Sequence, residues 1–137
     1  IAVLKNASRN DVQEMIERFE LQEYLNEPLG FLKKGVLQRL ALACAILNHP
    51  KVLIADELME NIDLYSQSII LRELKSFKAG GGTCLWAFST IDFCKYVERV
   101  IWLEDGKMTL FKPEEALQEW DRQGKMYREN LLRTECV

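Results

Sequence analysis

The sequence predicts an α/β protein built around a parallel β-sheet, and three observations support this fold class. Two apolar runs, Val52–Ala55 and Thr83–Phe88, lack the alternation of a half-exposed strand and are typical of strands covered on both faces. The segment between them has helical periodicity and ends at Gly80-Gly81-Gly82. A short helix and a further strand follow. The order is therefore β-α-β-α-β, which makes a parallel sheet with right-handed crossovers.

Two helices are predicted before the first strand. The first begins after Ser8 or Asn10, either of which can cap it, and ends near Glu20. Its apolar residues recur at helical spacing, at Val12, Met15, Ile16 and Phe19. The second helix runs from about Lys34 to Leu47 and is apolar over more than half of its circumference, so we expect most of it to be buried. The stretch between the two helices has the composition of a loop.

The elements predicted after the first strand are a helix over 64–78, a strand over 83–88, a short helix over 91–97, strands over 99–103 and 108–111, and a helix over 113–120. The last two strands should form a hairpin, because Asp105-Gly106 is a strong turn signal between them. Trp86 and Trp102 lie in apolar strands and are expected in the core.

Composition and charge exclude several classes of protein. The 137 residues suffice for one domain or part of one, and a net charge of -3 gives no basic surface for a phosphate backbone, so no nucleic-acid partner is expected. No run approaches the roughly 18 apolar residues of a membrane span, and the start lacks a signal-peptide core. The four cysteines form no CxxC pair and are expected to be reduced and structural or incidental. His49 is expected in a loop.

Polar side chains follow both of the predicted buried strands. Asp56 and Glu57 end the first run, and Ser89 and Thr90 follow the second. Ligands of parallel α/β sheets bind at the carboxyl ends of the strands. We therefore expect these residues to line the edge of the sheet that binds a ligand.

Four segments, in this order, resemble motifs of the ATP-binding cassette family. Leu32–Leu47, LKKGVLQRLALACAIL, resembles the signature region and the alanine-rich helix after it, and Pro50–Glu57, PKVLIADE, resembles the Walker B strand. Ile62-Asp63 falls where the D-loop ends, and Glu98–Met108, ERVIWLEDGKM, resembles the closing hairpin. An acidic strand end alone is weak evidence, but the ordered set is specific.

The resemblance implies a fold and a domain organisation. It is to the C-terminal half of a nucleotide-binding domain, that is, a partial P-loop NTPase (RecA-like) parallel sheet with flanking helices, preceded by part of a helical subdomain. Residues 1–48 would be part of the helical subdomain and the signature helix, 49–112 the C-terminal part of the ATPase core, and 113–137 a helical tail. No GxxxxGK[ST] phosphate loop occurs in the sequence, so we expect a further segment with this loop before Ile1.

The resemblance also implies catalytic residues. Asp56 would act on the metal side, holding Mg²⁺ through a water ligand, and Glu57 would polarise the water that attacks the γ-phosphate. Leu58-Met59 replaces the Pro-Thr pair that follows this glutamate in the family. The alternative is that both acids merely end a strand and remain solvated.

The positions that would contact ATP depart from the family pattern. Lys33 and Lys34 replace the serine and the first glycine of the signature, while Gly35 is kept, and this loop would face the γ-phosphate bound on the opposite subunit. Ser89 replaces the switch histidine, and Asp63 ends the D-loop. The lysines can attract phosphate, but solvated surface lysines are the alternative. These departures predict weakened hydrolysis.

The function implied is that of the ATP-binding subunit of an ABC transporter, cytoplasmic and peripheral on the inner face of the cell membrane. Its cofactors would be ATP and Mg²⁺, and its partners membrane-spanning transporter subunits and a second cassette subunit in a head-to-tail dimer. Two alternatives stay open. The chain could be an inactive cassette remnant, a pseudo-ATPase kept for protein contacts, or a cassette ATPase outside transport, in translation or in chromosome and repair work, which the acidic charge disfavours.

Overall fold

The computed structural model describes residues 7–134, with side chains through residue 127. These residues form two compact units, with the boundary in sequence between Phe88 and Ser89. The first unit contains a parallel pair of strands and the helices around it, and the second contains a β-hairpin and a long helix. No helix of the described residues is long and apolar enough to cross a membrane. The described cysteines are free thiols, and Cys136 lies outside the described residues.

Helix α1 spans Arg9–Arg18 and begins at a capping box. The Ser8 hydroxyl accepts a hydrogen bond from the Asp11 N–H at 3.1 Å, and the Asp11 carboxylate accepts one from the Ser8 N–H at 2.8 Å. This reciprocal pair satisfies two N–H groups that a helix start would otherwise leave unbonded. Ser8 is therefore the cap, and Asn10, the other candidate, lies inside the helix.

Helices α2, Lys34–Ile46, and α3, Leu64–Ala79, pack against each other in the first unit. Both agree with the predicted bounds within one residue at each end. The loop before α2 contains two short 3₁₀ turns, Gln22–Tyr24 and Leu29–Phe31. The buried residues of α2 are Gly35, Val36, Arg39, Leu42, Ala43 and Ile46. They form one side of the helix, so less of α2 is buried in the described residues than its apolar circumference predicts.

Strand β1, Val52–Asp56, pairs in parallel with β2, Thr83–Ala87. Leu53 is 5% exposed, whereas Val52 and Ile54 on the opposite face are 58% and 75% exposed. Successive side chains of a strand point to opposite faces, so one face of this sheet is covered and the other is open within the described residues. The prediction that both strands are covered on both faces is therefore wrong for this part of the chain.

The second unit contains strands β3, Val100–Glu104, and β4, Lys107–Phe111, paired antiparallel. Asp105 and Gly106 connect them with φ angles of 47° and 73°, which matches the left-handed pair that a type I′ hairpin turn requires. The hairpin is therefore confirmed. Among the residues described, β3 pairs only with β4, so the prediction that it extends the parallel sheet is wrong for them.

Helix α4, Pro113–Thr134, packs on this hairpin and continues well past the predicted end near Trp120. The Trp102 ring lies edge-on to those of Phe111 and Trp120, with centroids 6.1 and 6.3 Å apart. Trp102 is partly exposed, although its strand predicts a core position, and Trp120 beside it is 47% exposed. The predicted short helix before β3 is a 3₁₀ helix, Ile91–Tyr96.

Candidate functional site

Asp56 is the last residue of β1 and lies at the carboxyl end of the parallel pair of strands. It is in register with Ala87, the last residue of β2. Because side chains alternate along a strand, its carboxylate belongs to the same open face as Ile54, and the residue is exposed. Asp56 therefore occupies the strand end at which ligands of parallel α/β sheets bind.

Glu57 follows directly and has a left-handed backbone with a φ of 46°. This conformation costs an L-residue other than glycine roughly 1–2 kcal/mol, so surrounding contacts must hold it. The Glu57 N–H donates to the Ala87 carbonyl oxygen at 2.9 Å, and the Glu57 carbonyl accepts from the Glu60 N–H at 3.1 Å. Backbone strain that persists in this way is concentrated at functional sites.

The loop after Glu57 is anchored by three side chains whose function the sequence alone did not show. Leu58 and Met59 are 6% and 1% exposed, so the apolar pair that replaces Pro-Thr is part of the core. Gln67 of α3 donates from its Nε2 to the Met59 carbonyl oxygen at 3.3 Å. The signal in the sequence was the apolar pair Leu58-Met59 between the acidic residues Glu57 and Glu60. These contacts fix the backbone that carries Glu57.

The start of α2 carries the residues expected to face phosphate. Lys33 is the N-cap of the helix, and its side chain makes no capping hydrogen bond. Lys33 and Lys34 are both exposed, whereas Gly35 is buried. The two ammonium groups are thus free to meet an anion, but Gly35 faces the interior of the protein.

Asp63 is the N-cap of α3 and is bonded to that helix. Its Oδ1 accepts from the Ser66 N–H at 2.8 Å, and its Oδ2 accepts from the Ser66 hydroxyl at 2.9 Å. These bonds, that from the N–H first, lower the pKa of the Asp63 carboxyl group below its usual value. The structure brings Asp63 against Gly35, since a Cβ on Gly35 would lie 2.4 Å from Asp63 Oδ2.

Arg39 holds α2 against the end of α1. Its side chain is 2% exposed and donates from Nη1 to the carbonyl oxygens of Phe19 and Glu20 at 2.9 and 3.0 Å. The rings of Tyr24 and Tyr65 lie 5.7 and 5.8 Å from the guanidinium carbon. Carbonyl oxygens and aromatic rings replace part of the water around this buried cation, while its Nε has no hydrogen-bond partner among the described residues. This arginine belongs to the signature-like segment, but its partners are distant in sequence and could not be predicted from it.

Ser89 and Thr90 follow β2 and are exposed. Ser89 is the first residue of the second compact unit, while the other site residues belong to the first. The structure therefore brings Asp56 beside Glu57 and Gly35 against Asp63, and Ser89 stays a prediction from the sequence.

A magnesium ion at Asp56 would need ligands beyond the described residues. Among the residues described, no group of three acidic, histidine or cysteine side chains could hold a metal ion. Mg²⁺ is usually bound by one or two carboxylates, with waters and substrate phosphates completing its octahedron. The exposed Asp56 carboxylate is suited to supply one such ligand. Among the described residues it does not form a site that would bind the metal without nucleotide.

Comparison with protein families gives an independent assignment of the chain. The family described as ABC transporter matches residues 1–60. This range contains the signature-like segment, the whole of β1 and both Asp56 and Glu57.

Curated relatives match a longer part of the chain. The O-antigen export system ATP-binding protein RfbB of Klebsiella pneumoniae is 30% identical over 112 residues, which are 78% of this chain and 46% of the relative. The lipoprotein-releasing system ATP-binding protein LolD of Gluconobacter oxydans is 31% identical over 105 residues, 76% of this chain and 46% of the relative. The chain therefore spans about half the length of these relatives.

A solved structure agrees with both findings. The ATP-binding cassette MJ0796, as a dimer in a post-hydrolysis state bound to ADP and Pi, superposes with a TM-score of 0.68 and 28% identity, over 77% of this chain and 47% of that one. The ordered motifs, the strand that ends at Asp56 and these three comparisons agree. The chain belongs to the ATP-binding cassette family of ABC transporter ATP-binding proteins and matches part of their nucleotide-binding domain.

Proposed function

We propose that this chain is part of a subunit that binds and hydrolyses ATP in an ABC transporter. The observation that carries the proposal is the pair Asp56-Glu57 at the carboxyl end of a parallel strand, with Glu57 held in a strained backbone conformation. A left-handed backbone is also found at four other described residues, namely Glu20, His49, Asn61 and Asp105, so the position of Glu57 supports the proposal more than its strain does. That position, beside Asp56 at the carboxyl end of a parallel strand, is where ligands of α/β sheets bind.

In this function Asp56 and Glu57 have different roles. Bound Mg²⁺ would neutralise charge that develops on the phosphate oxygens during transfer to water. Asp56 would orient a water ligand of that ion, because its carboxylate is exposed at the sheet edge. Glu57 would hold the attacking water in line and accept its proton, and Leu58, Met59 and Gln67 would keep its backbone in place.

The start of α2 would act on a nucleotide held by a second cassette subunit. Lys33 and Lys34 are exposed at a helix N-terminus, where backbone N–H groups and the helix dipole favour anions. The chain has no GxxxxGK[ST] loop, so the main phosphate cradle must come from elsewhere in the functional assembly. Two flexible lysines in place of Ser-Gly favour slow hydrolysis.

The partners follow from the same proposal. The named relatives are ATP-binding proteins of export and release systems, and the solved neighbour is a dimer. By analogy, this subunit would dimerise head to tail and act on membrane-spanning subunits from the cytoplasmic face of the cell membrane. Such an arrangement would couple ATP binding and hydrolysis to transport.

Hydrolysis by the full natural polypeptide tests the proposal. Mg²⁺-dependent phosphate release should be measurable, and Glu57→Gln should reduce kcat at least 100-fold, since general-base catalysis contributes about 10²–10⁴-fold. The matched control is Glu60→Gln, three residues along the same loop, which should keep activity within about threefold. If wild type and Glu57→Gln are equally inactive and neither binds Mg²⁺–ATP, the chain belongs to a pseudo-ATPase that serves protein contacts.

A further inference from the structure

Gly35 lies where no other residue fits. It is the second residue of α2, and a Cβ added to it would lie 2.4 Å from both Asp63 Oδ2 and Ser66 Oγ, and 2.8 Å from Ser66 Cβ. Carbon atoms in contact stay about 3.5–4.0 Å apart, so any side chain at this position must displace its neighbours. The close approach of two helices therefore requires glycine here.

The residues that face Gly35, Asp63 and Ser66, are fixed by hydrogen bonds to each other. Ser66 is 1% exposed, and its N–H and hydroxyl both donate to the Asp63 carboxylate, at 2.8 and 2.9 Å. The Ser66 Cβ is fixed to the backbone of the first turn of α3. The Asp63 carboxylate and the Ser66 hydroxyl could rotate away, but either movement would break the hydrogen bond between them. The two helix starts are thus held in register at one contact.

This contact joins the two segments that the proposed function uses. Lys33 and Lys34 directly precede Gly35, and the loop that begins at Glu57 leads into Asp63. Gln67, in the first turns of α3, also bonds the Met59 carbonyl oxygen of that loop. A shift of α3 relative to α2 would therefore move the Glu57 loop relative to the two lysines.

We propose that Asp63 and Ser66 are positioning residues, which set the start of α2 relative to the Glu57 loop through their contact with Gly35. Gly35 and Asp63 then serve this junction. The junction itself follows from the packing alone, whereas its consequence for catalysis rests on the proposed ATPase function. The two parts can be tested separately.

A double-mutant cycle in the full natural polypeptide without nucleotide tests the junction. Gly35→Ala should lower Tm by roughly 4–10 °C, as expected for an overpacked contact in a protein of this size class. Ser66→Gly removes two of the three obstructing atoms, so the double variant should lose at least about 2 °C less than the sum of the single losses. The control is Gly30→Ala, because a Cβ at Gly30 meets no atom within 4 Å.

An unchanged Tm for Gly35→Ala, or strictly additive losses, would overturn the junction. If Ser66→Gly does not fold, Ser66→Ala replaces it in the cycle: it removes the hydroxyl and keeps the Cβ, so a smaller but still non-additive recovery is expected. Additive losses with Ser66→Ala would overturn the proposal equally.

The division between kcat and KM separates positioning from nucleotide contact. At temperatures where Gly35→Ala is folded, kcat for Mg²⁺–ATP should fall at least fivefold with KM within about twofold, and Ser66→Gly in the same chain should restore kcat at least threefold. A raised KM with an unchanged nucleotide-free Tm would instead make Gly35 only a nucleotide contact and overturn the proposal. If the wild type hydrolyses no ATP, the proposed function fails, while the Tm cycle still decides on the junction.

Discussion

At the scale of single residues, Asp63 has the clearest electrostatic consequence. Its carboxylate accepts two hydrogen bonds from Ser66 in the folded protein, which lowers its pKa. A lowered folded-state pKa means that the charged form stabilises the fold. This stabilisation is complete above the unfolded pKa of about 4 and is lost as the pH falls through the lower folded value.

Asp63→Asn should therefore flatten the pH dependence of stability in acid. Asparagine can still cap α3, so stability near pH 7 should fall only modestly, whereas the loss of stability below about pH 4 should become smaller than in the wild type. Urea unfolding midpoints of the full natural polypeptide, without nucleotide, from pH 2.5 to 7 give the measurement. The matched control is Asp121→Asn at an exposed site of α4. Identical acid profiles for Asp63→Asn and the wild type would contradict this interpretation.

At the scale of secondary-structure elements, the hairpin and α4 depend on glycine in opposite ways. Gly106 has a φ of 73° in the turn of the hairpin, so Gly106→Ala should destabilise the protein by about 1 kcal/mol. Gly124 lies inside α4, and a Cβ there would meet no atom within 4 Å. Gly124→Ala should stabilise the protein by about 0.5–1 kcal/mol through helix propensity. Chemical denaturation measures both, and effects of the same sign would contradict the assigned conformations.

The elements also show what sequence periodicity can predict. α1, α2 and α3 were predicted within a few residues, because each buries one apolar side that repeats at helical spacing. The end of α4 was not predicted from periodicity, which weakens near Gly124, and only the family resemblance implied a helical tail past Trp120. Strands β1 and β2 were predicted correctly, but their open face was not. An apolar run does not reveal which elements of the chain cover it.

The candidate site was predictable only in part for a similar reason. Asp56 and Glu57 follow from their position after an apolar strand, which is a local property of the sequence. The strain at Glu57 and the contact of Gly35 with Ser66 depend on residues distant in sequence that packing brings together. Arg39 is another case, because its partners Phe19 and Glu20 lie just after the end of α1, about 20 residues away in the sequence.

At the scale of the whole molecule, the chain carries only some of the groups that ATP hydrolysis needs. It spans about half the length of its curated relatives and has no phosphate loop of the GxxxxGK[ST] type. In the proposed function, Glu57 acts on one nucleotide while Lys33 and Lys34 face a nucleotide bound by the other subunit. Nucleotide should therefore hold two subunits together, and it should do so longest when hydrolysis is blocked.

Sedimentation of the full natural polypeptide carrying Glu57→Gln, with and without Mg²⁺–ATP, tests this account most directly. We predict a monomer without nucleotide and a dimer with Mg²⁺–ATP, because the unhydrolysed γ-phosphate stays bound between the two subunits. Replacing Lys33 and Lys34 by glutamate in the same chain should weaken that dimer at least tenfold, through repulsion between carboxylates and phosphate. A Glu57→Gln protein whose mass does not change with Mg²⁺–ATP would contradict the account.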